Sequence, residues 1–285
     1  MGIVRTDLET TYIERPRSEV MKSATKTVLS IVIPALNEEK GIVRTLAAIP
    51  QKELEELGYE TQVVVVDNGS QDRTAQLAIE AGAEVVCEPR RGYGRAYKTG
   101  FAHARGEIIA TCDADYTYPV EDIPKLLSLL RENNLDFVTT NRFSHMESAA
   151  MSFEHRIGNG VLNVMTRLLF RINLKDSQSG MWVFKKQLID KLVLKSDCMA
   201  FSQELKIESC RLAGCRWAEI AIDYRSRVGD VKLRSWRDGT RNLLRLIAMR
   251  VSLERNWNTL IKSNSLDPKR IVLWLDTTVN GKSVE

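Results

Sequence analysis

Short apolar runs alternate with segments of helical spacing through the first half of the chain. Val28-Leu-Ser-Ile-Val-Ile33, ended by Pro34, predicts a buried strand, and Glu38 to Ile49 carries apolar residues at helical intervals. Glu60-Thr-Gln-Val-Val-Val-Val66 predicts a second strand, followed by the turn-rich Asp67-Asn-Gly-Ser-Gln-Asp72 and a helix from Thr74 to Ala81. Ala83 to Cys87 is a third strand, Arg91-Gly-Tyr-Gly94 a glycine-bearing loop, Ala96 to Ala104 a helix, and Glu107 to Cys112 a fourth strand. A helix from Val120 through Leu130 then leads to a strand at Asp136 to Thr140. Such alternation predicts an α/β protein with a mostly parallel sheet covered on both faces, and ligands gather beyond the carboxyl ends of strands in such sheets.

The second half is dominated by helical patterning. From His155 to Leu174 the apolar residues Ile157, Val161, Met165, Leu168 and Ile172 fall on one predicted face, and Arg156, Asn163, Arg167 and Arg171 on another. That pattern fits a helix lying on a membrane surface and equally an ordinary core helix with a solvated basic face. A second long helix is predicted from Asp238 to about Ile261. The expected organisation is a polar leader over residues 1–27, a catalytic domain over 28–235, and a helical segment and tail over 236–285.

Composition narrows the class. With 285 residues, 44% of them apolar, the chain can bury a substantial core, and disorder is excluded. The longest aliphatic runs, Val63 to Val66 and Ile271 to Leu275, fall far short of the roughly 20 residues that cross a bilayer. No apolar stretch with a cleavage site marks the first 26 residues as a secretory signal, so the expectation is a cytoplasmic protein, peripheral at most to the cytoplasmic face of a membrane. Five cysteines without paired spacing read as reduced structural thiols rather than a zinc site. Charge is unevenly spread: Thr140 to Lys262 holds 22 basic and 12 acidic residues, a net of +10, against −6 for the rest. The basic half expects an anionic partner, and its lack of a stacking pattern of aromatics argues against nucleic acid.

Candidate chemistry sits at the predicted strand ends. Asp113-Ala-Asp115 directly follows the fourth strand, and carboxylates at i and i+2 on a chain leaving a strand can both turn toward one cation. Hard oxygen ligands suit Mg²⁺ or Mn²⁺, which bridge diphosphate oxygens. Gly92 and Gly94 precede a helix, where backbone without a Cβ can approach phosphate closely.

Taken in order, Ser30-Ile-Val-Ile-Pro-Ala-Leu-Asn-Glu-Glu39, Val65-Val-Asp-Asn-Gly-Ser-Gln-Asp-Arg-Thr74 and Asp113-Ala-Asp115 strongly resemble glycosyltransferase family 2 with the glycosyltransferase-A fold. Within it, the chain looks most like the dolichyl or polyprenyl phosphate hexosyltransferases, over roughly Leu29 to Arg245. The resemblance implies that Pro34, Leu36 and Glu38 line a nucleotide-sugar pocket, that Asp67 binds the base, and that Asp113, Ala114 and Asp115 hold the diphosphate through the metal. It assigns Arg142 and Arg156 to an acceptor phosphate. Tyr224-Arg-Ser-Arg-Val-Gly-Asp-Val-Lys-Leu233 resembles a family segment that adds Arg225, Arg227 and Lys232 to the same anionic pocket. Asp176, in Asp176-Ser-Gln-Ser-Gly180, becomes a candidate for sugar hydroxyls or the metal surroundings, and Glu204 a candidate base.

The implied reaction is inverting transfer of a hexose, with glucose or N-acetylglucosamine as candidates, from a nucleotide-diphosphate sugar to a polyprenyl phosphate. Thr117 stands where the mannosyl branch commonly carries Gln, which favours a UDP-sugar over GDP-mannose. Val231 replaces the usual Ser before Lys232. Two alternatives stay open: a soluble family 2 enzyme acting on a small or water-soluble acceptor, and a non-catalytic subunit that binds nucleotide or lipid.

Overall fold

The computed structural model describes residues 26–146, 153–229, 239–240 and 242–251. Seven strands form one sheet in the order β3-β2-β1-β4-β6-β5-β7. They are β1 (Thr27–Ala35), β2 (Tyr59–Asp67), β3 (Glu84–Cys87), β4 (Ile108–Thr111), β5 (Phe137–Met146), β6 (Trp182–Lys185) and β7 (Trp217–Tyr224). The pairs among β1 to β4 are parallel, as is β5 with β7, and β6 runs antiparallel between β4 and β5. The helices are α1 (Ile42–Ala47), α2 (Gln51–Glu56), α3 (Thr74–Glu80), α4 (Tyr93–His103), α5 (Ile123–Glu132), α6 (Phe153–Phe170) and α7 (Ala200–Arg211), and residues 242–251 are helical.

Burial on both faces explains the near-continuous apolar strands. In β1, Leu29, Ile31 and Ile33 enter one core cluster while Val32 enters the other. In β6, Val183 faces the first and Trp182 and Phe184 the second. The first cluster is closed by residues of α1, α2 and α5, the second by Tyr97 and Phe101 of α4 and Phe201 and Leu205 of α7. Apolar burial on this scale, about 25 cal/mol per Å², is the main force holding the sheet between its helices. A third, smaller cluster joins Phe170, Ile172, Leu174 and Ile207 to Leu246 and Met249, so the helical 242–251 segment docks on α6 and α7.

The expected α/β architecture is the one found, with several local differences. The helix read from Glu38 to Ile49 is a turn followed by the short α1, because Gly41 must lie against the Asp113–Asp115 turn. A Cβ there would sit 2.8 Å from the Ala114 carbonyl oxygen and 2.9 Å from the Asp115 Cα. β6, α7 and β7 were not anticipated from the pattern; α7 buries Gln203, Glu204 and Lys206, which hides its helical periodicity. The helix read as far as Leu174 ends at Phe170, and Arg171 takes a positive φ of 55°. The 1–27 leader, but for its last two residues, and the tail beyond residue 251 lie outside the described residues, so the helix expected to reach Ile261 is seen over 242–251.

Candidate active site

Parallel pairing of β2, β1 and β4 brings three predicted loops to one rim of the sheet. The loop after β1 is stitched to the loop after β2. Asn37 donates its backbone N–H to Ser70 Oγ at 2.9 Å, its Oδ1 accepts from Gln71 N at 2.7 Å, and Glu38 N–H donates to Thr74 Oγ1 at 2.7 Å. Pro34 is buried in β1, Leu36 is half-buried, and Glu38 is buried beside them. Asp67 ends β2, buried, with Oδ1 accepting from Ser70 N at 3.2 Å; its other oxygen has no protein partner among the described residues.

Asp113 and Asp115 leave β4 into this rim. Tyr93 donates its hydroxyl to Asp113 Oδ1 at 2.8 Å. Burial and the charge of Asp115 push the Asp113 carboxyl up to about 7, against the pull of the Tyr93 hydrogen bond and of Arg227 and Arg142. Burial and Asp113 also raise the Tyr93 phenol well above its ordinary value, so it stays a donor. Asp115 is held differently: Thr117 N–H and Oγ1 donate to its Oδ1 at 3.1 and 2.6 Å, and Arg227 Nη1 lies 2.8 Å from Oδ2. Arg227 also pairs with Glu38 through Nη2, so one guanidinium bridges the loops after β1 and β4. The Val228 N–H donates to the Asp115 carbonyl at 3.0 Å and the Arg225 N–H to that of Thr117 at 3.0 Å, laying residues 225–229 along the Asp115–Thr117 turn.

This rim fits a divalent cation. Two hard carboxylates stand side by side with their joint negative charge raising the proton affinity of Asp113, and a guanidinium already compensates Asp115. Among the described residues no group of three or more Asp, Glu, His or Cys side chains gathers into a metal-binding cluster.

Other predicted residues take different places. Asp176 is fully buried and holds Arg142 in a two-pronged pair, accepting from Arg142 Nε at 2.7 Å and Nη2 at 2.9 Å and from its backbone N–H at 3.1 Å. Gln178 N–H adds a bond at 3.0 Å, and Lys206 Nζ donates to the Asp176 carbonyl at 2.6 Å. Burial alone would raise the Asp176 carboxyl, but Arg142 overcomes it and holds it below the ordinary 3.8. Every hydrogen bond shown for this carboxylate is therefore to the protein's own Arg142 and Gln178. Glu204 is likewise buried, accepting the Ser196 N–H at 2.6 Å and Arg245 Nη2 at 2.9 Å, a bracket that anchors the 242–251 helix. Its expected role as base has no support in this placement.

Gly92 and Gly94 are required by packing. A Cβ on Gly92 would come 2.2 Å from the Asp197 carbonyl oxygen, and one on Gly94 would come 2.6 Å from Phe201 Cβ and 2.7 Å from the Ser196 carbonyl oxygen. Asn68 fastens the same loop, accepting the Gly92 N–H at 2.7 Å and donating to the Glu88 and Arg90 carbonyls at 2.9 Å each. Arg156 is exposed near the start of α6 and pairs with nothing among the described residues. Arg225 pairs with Glu121, and its guanidinium stacks 5.1 Å from the centre of the Tyr116 ring, whose other neighbour is Arg44 at 4.6 Å. Lys232 lies outside the described residues.

Several participants escaped the sequence reading. Tyr93, Tyr116, Asn68 and Gly180 each touch the rim, and Gly180 opens the space Tyr93 fills, since a Cβ there would lie 2.5 Å from the Tyr93 oxygen and 3.2 Å from Asp113 Oδ1. Asn68, Tyr93 and Gly180 stand inside motifs quoted above, and that position was their usable signal.

Residues 30–193 match the family model described as Glycosyl transferase family 2. The chain belongs to that family. It is 33% identical over 239 residues to the low-salt glycan biosynthesis hexosyltransferase Agl6 of Haloferax volcanii, covering 81% of this chain but only 56% of that protein. It is 31% identical over 205 residues to the dolichyl-phosphate hexose transferase of the same organism, covering 72% of this chain and 86% of that one. These names bear out the resemblance to the polyprenyl phosphate hexosyltransferase branch. In fold, this family 2 chain superposes on glucosyl-3-phosphoglycerate synthase from Mycobacterium tuberculosis, solved with Mn²⁺, UDP and phosphoglyceric acid. The TM-score is 0.63 at 22% identity, over 79% of this chain and 78% of that one. The glycosyltransferase-A fold expected from the motifs is thus the fold observed.

Proposed function

We propose that this family 2 glycosyltransferase performs an inverting, metal-dependent transfer of a hexose from a nucleotide-diphosphate sugar to a polyprenyl or dolichyl phosphate at the cytoplasmic face of a membrane. The observation that carries the reading is that Asp113 and Asp115 leave β4 together, with Arg227 paired to Asp115 at 2.8 Å and its charge acting on Asp113. Asp113 and Asp115 hold Mg²⁺ or Mn²⁺, which supplies charge neutralisation for the departing diphosphate. Asp67, Pro34 and Leu36 receive the nucleoside, and Tyr93 orients Asp113 by its hydrogen bond. The preference for UDP rests on Thr117, whose hydroxyl is turned onto Asp115.

The acceptor's phosphate oxygen forms the new bond to the sugar C1 as the bond from C1 to the diphosphate oxygen breaks on the opposite face. A phosphate monoester has a second pKa of about 6, so its oxygen is already anionic and no strong base is needed. That agrees with Glu204 being locked by Ser196 and Arg245. Arg225, Arg227 and Arg156, with Lys232, are the residues proposed to attract the acceptor phosphate, and Arg142 holds its loop through Asp176.

The test is transfer of radiolabelled sugar from a panel of UDP and GDP donors to a short, detergent-dispersed polyprenyl phosphate, with Mn²⁺ or with EDTA. Metal-dependent labelling of the prenyl phosphate is the expected result. Labelling of water-soluble acceptors alone, or labelling undiminished by EDTA, overturns the reading.

A further inference from the structure

Tyr116 follows the second carboxylate of the acidic pair and precedes the threonine that braces it, and its backbone takes a φ of 65°. That left-handed conformation brings Cβ close to the following carbonyl and is rare for a bulky aromatic residue; where a short turn needs it, glycine or asparagine is the usual choice. A residue so placed persists only where its surroundings over-determine it. Three sets of contacts do so. Within the turn, Thr117 N–H and Oγ1 both donate to Asp115 Oδ1, closing a loop around residue 116. From α1, Thr45 Oγ1 donates to the Ala114 carbonyl at 3.1 Å, and Gly41 lets the start of the helix lie against Asp115. From the chain after β7, the backbone N–H groups of Arg225 and Val228 reach the carbonyls of Thr117 and Asp115, on either side of Tyr116.

The side chain adds a hold that these backbone contacts do not supply. Arg44 of α1 places its guanidinium carbon 4.6 Å from the centre of the Tyr116 ring, and Arg225 places its own at 5.1 Å. One ring thus receives a cation from each of the two elements that flank the turn. Arg225 is steadied from outside by Glu121. Arg44 is exposed and pairs with no carboxylate among the described residues, so its side chain rests on the ring. The Tyr116 hydroxyl has no hydrogen-bond partner among the described residues, which leaves the aromatic face and not the phenol to carry these contacts. A turn that had only to reverse the chain would be less strained with glycine or asparagine at this position. The ring instead fastens α1 to the chain after β7 across the turn that presents both carboxylates.

We infer that Tyr116 is a positioning residue: held by Arg44 and Arg225, its ring fixes the turn from which Asp113 and Asp115 receive a divalent cation. This deepens the metal reading proposed above and rests on it. Residues that orient metal ligands without touching the metal commonly govern affinity by about 10–100-fold when they are changed.

The experiment measures Mn²⁺ binding by the full chain in the presence of UDP and, separately, of GDP, from the loss of the free-ion signal in electron paramagnetic resonance, with thermal unfolding read beside it. Tyr116→Asn accepts the left-handed backbone but removes the ring, and should weaken Mn²⁺ binding by about 10–100-fold at a temperature where the variant is fully folded. Tyr116→Phe keeps the ring and should hold Mn²⁺ within about twofold of wild type. Arg44→Gln, at an exposed position, separates charge from positioning. Removing a nearby positive charge by itself strengthens the binding of a cation, whereas loosening the ring weakens it. A loss of about two- to fivefold is expected. Mn²⁺ bound by Arg44→Gln as tightly as by wild type, or more tightly, overturns the inference. So does Tyr116→Asn if it lowers the unfolding temperature without weakening Mn²⁺ binding, and so does an equal loss in Tyr116→Phe and Tyr116→Asn, which assigns the effect to the hydroxyl. A wild type that binds no Mn²⁺ with either nucleotide sinks the metal reading and the inference with it; wild-type binding that the variants leave unchanged sinks the inference alone.

Discussion

Replacing Asp176 by Asn separates a structural carboxylate from a substrate-binding one. The side chain is fully buried, and its two oxygens take two bonds from the Arg142 guanidinium, one from the Arg142 backbone and one from Gln178. Asn keeps the shape but removes the charge, leaving the 7%-exposed Arg142 without its counter-ion. Breaking one side of a buried pair costs about 3–5 kcal/mol. For a domain of this size about 2–4 °C accompany each kcal/mol, so the unfolding temperature should fall by roughly 6–20 °C. Thermal unfolding followed by circular dichroism measures this, with transfer assayed well below the variant's transition. Acid supplies a second readout. Because the folded carboxyl is held below 3.8, its stabilisation is present above that pH and lost as pH falls through the depressed value. The wild type should therefore weaken below about pH 4 by a component that Asp176→Asn lacks. An Asn variant that unfolds within about 2 °C of wild type yet no longer transfers sugar refutes the reasoning and returns Asp176 to the substrate.

The remaining outcomes separate roles within the rim. Asp113→Ala and Asp115→Ala should each lower transfer by about 10³-fold or more while the far-ultraviolet circular dichroism is preserved; near wild-type turnover by either rejects the metal role. Glu204→Gln should cost less than about tenfold in kcat but lower the unfolding temperature, whereas loss of a general base would cost about 10²–10⁴-fold. Gly94→Ala should destabilise by about 1–3 kcal/mol through its contacts with Phe201 and Ser196. A drop in donor affinity at unchanged stability would instead favour the phosphate-approach role.

The β1 to β4 rim was legible because each strand is a run of aliphatic residues stopped by polar turn formers, and parallel pairing puts every such stop on the same side. The place of Asp113 and Asp115 at the carboxyl end of β4 followed from the apolar run before them. The acceptor half was less legible for a definable reason. α7 buries Gln203, Glu204 and Lys206, and α6 buries Asn163 and Thr166, so polar residues stand where a periodicity argument looks for apolar ones. Their partners, Ser177, Asp176, Ser196 and Arg245, lie 8 to 41 residues away, and no local pattern announces hydrogen bonds across such spans. Asp176 and Glu204 were candidates through the resemblance at their motif positions, while the structure shows their carboxylates bonded to Arg142 and to Ser196 and Arg245. Motif position places an acid near a site; only its partners say whether its charge is free to act.

The arginines that the resemblance gathered into one anionic pocket are divided by the structure into distinct duties. Arg142 is committed to Asp176, Arg225 to Glu121 and the Tyr116 ring, and Arg156 stands in solvent. Among the described residues of this set, Arg227 spans the loops after β1 and β4, compensating both Glu38 and Asp115. Its charge is therefore shared between the donor side and whatever anion arrives on the acceptor side. A divalent cation at Asp113 and Asp115 would supply positive charge that Arg227 now gives to Asp115, and would leave more of the guanidinium's field for an incoming phosphate. The backbone bonds from Arg225 and Val228 to the Asp115–Thr117 turn keep that side chain at the rim throughout. On the proposed reading donor loading and acceptor capture would both draw on Arg227, so kinetics with the donor binding first are expected, and a random order in initial-rate experiments would refute this shared role.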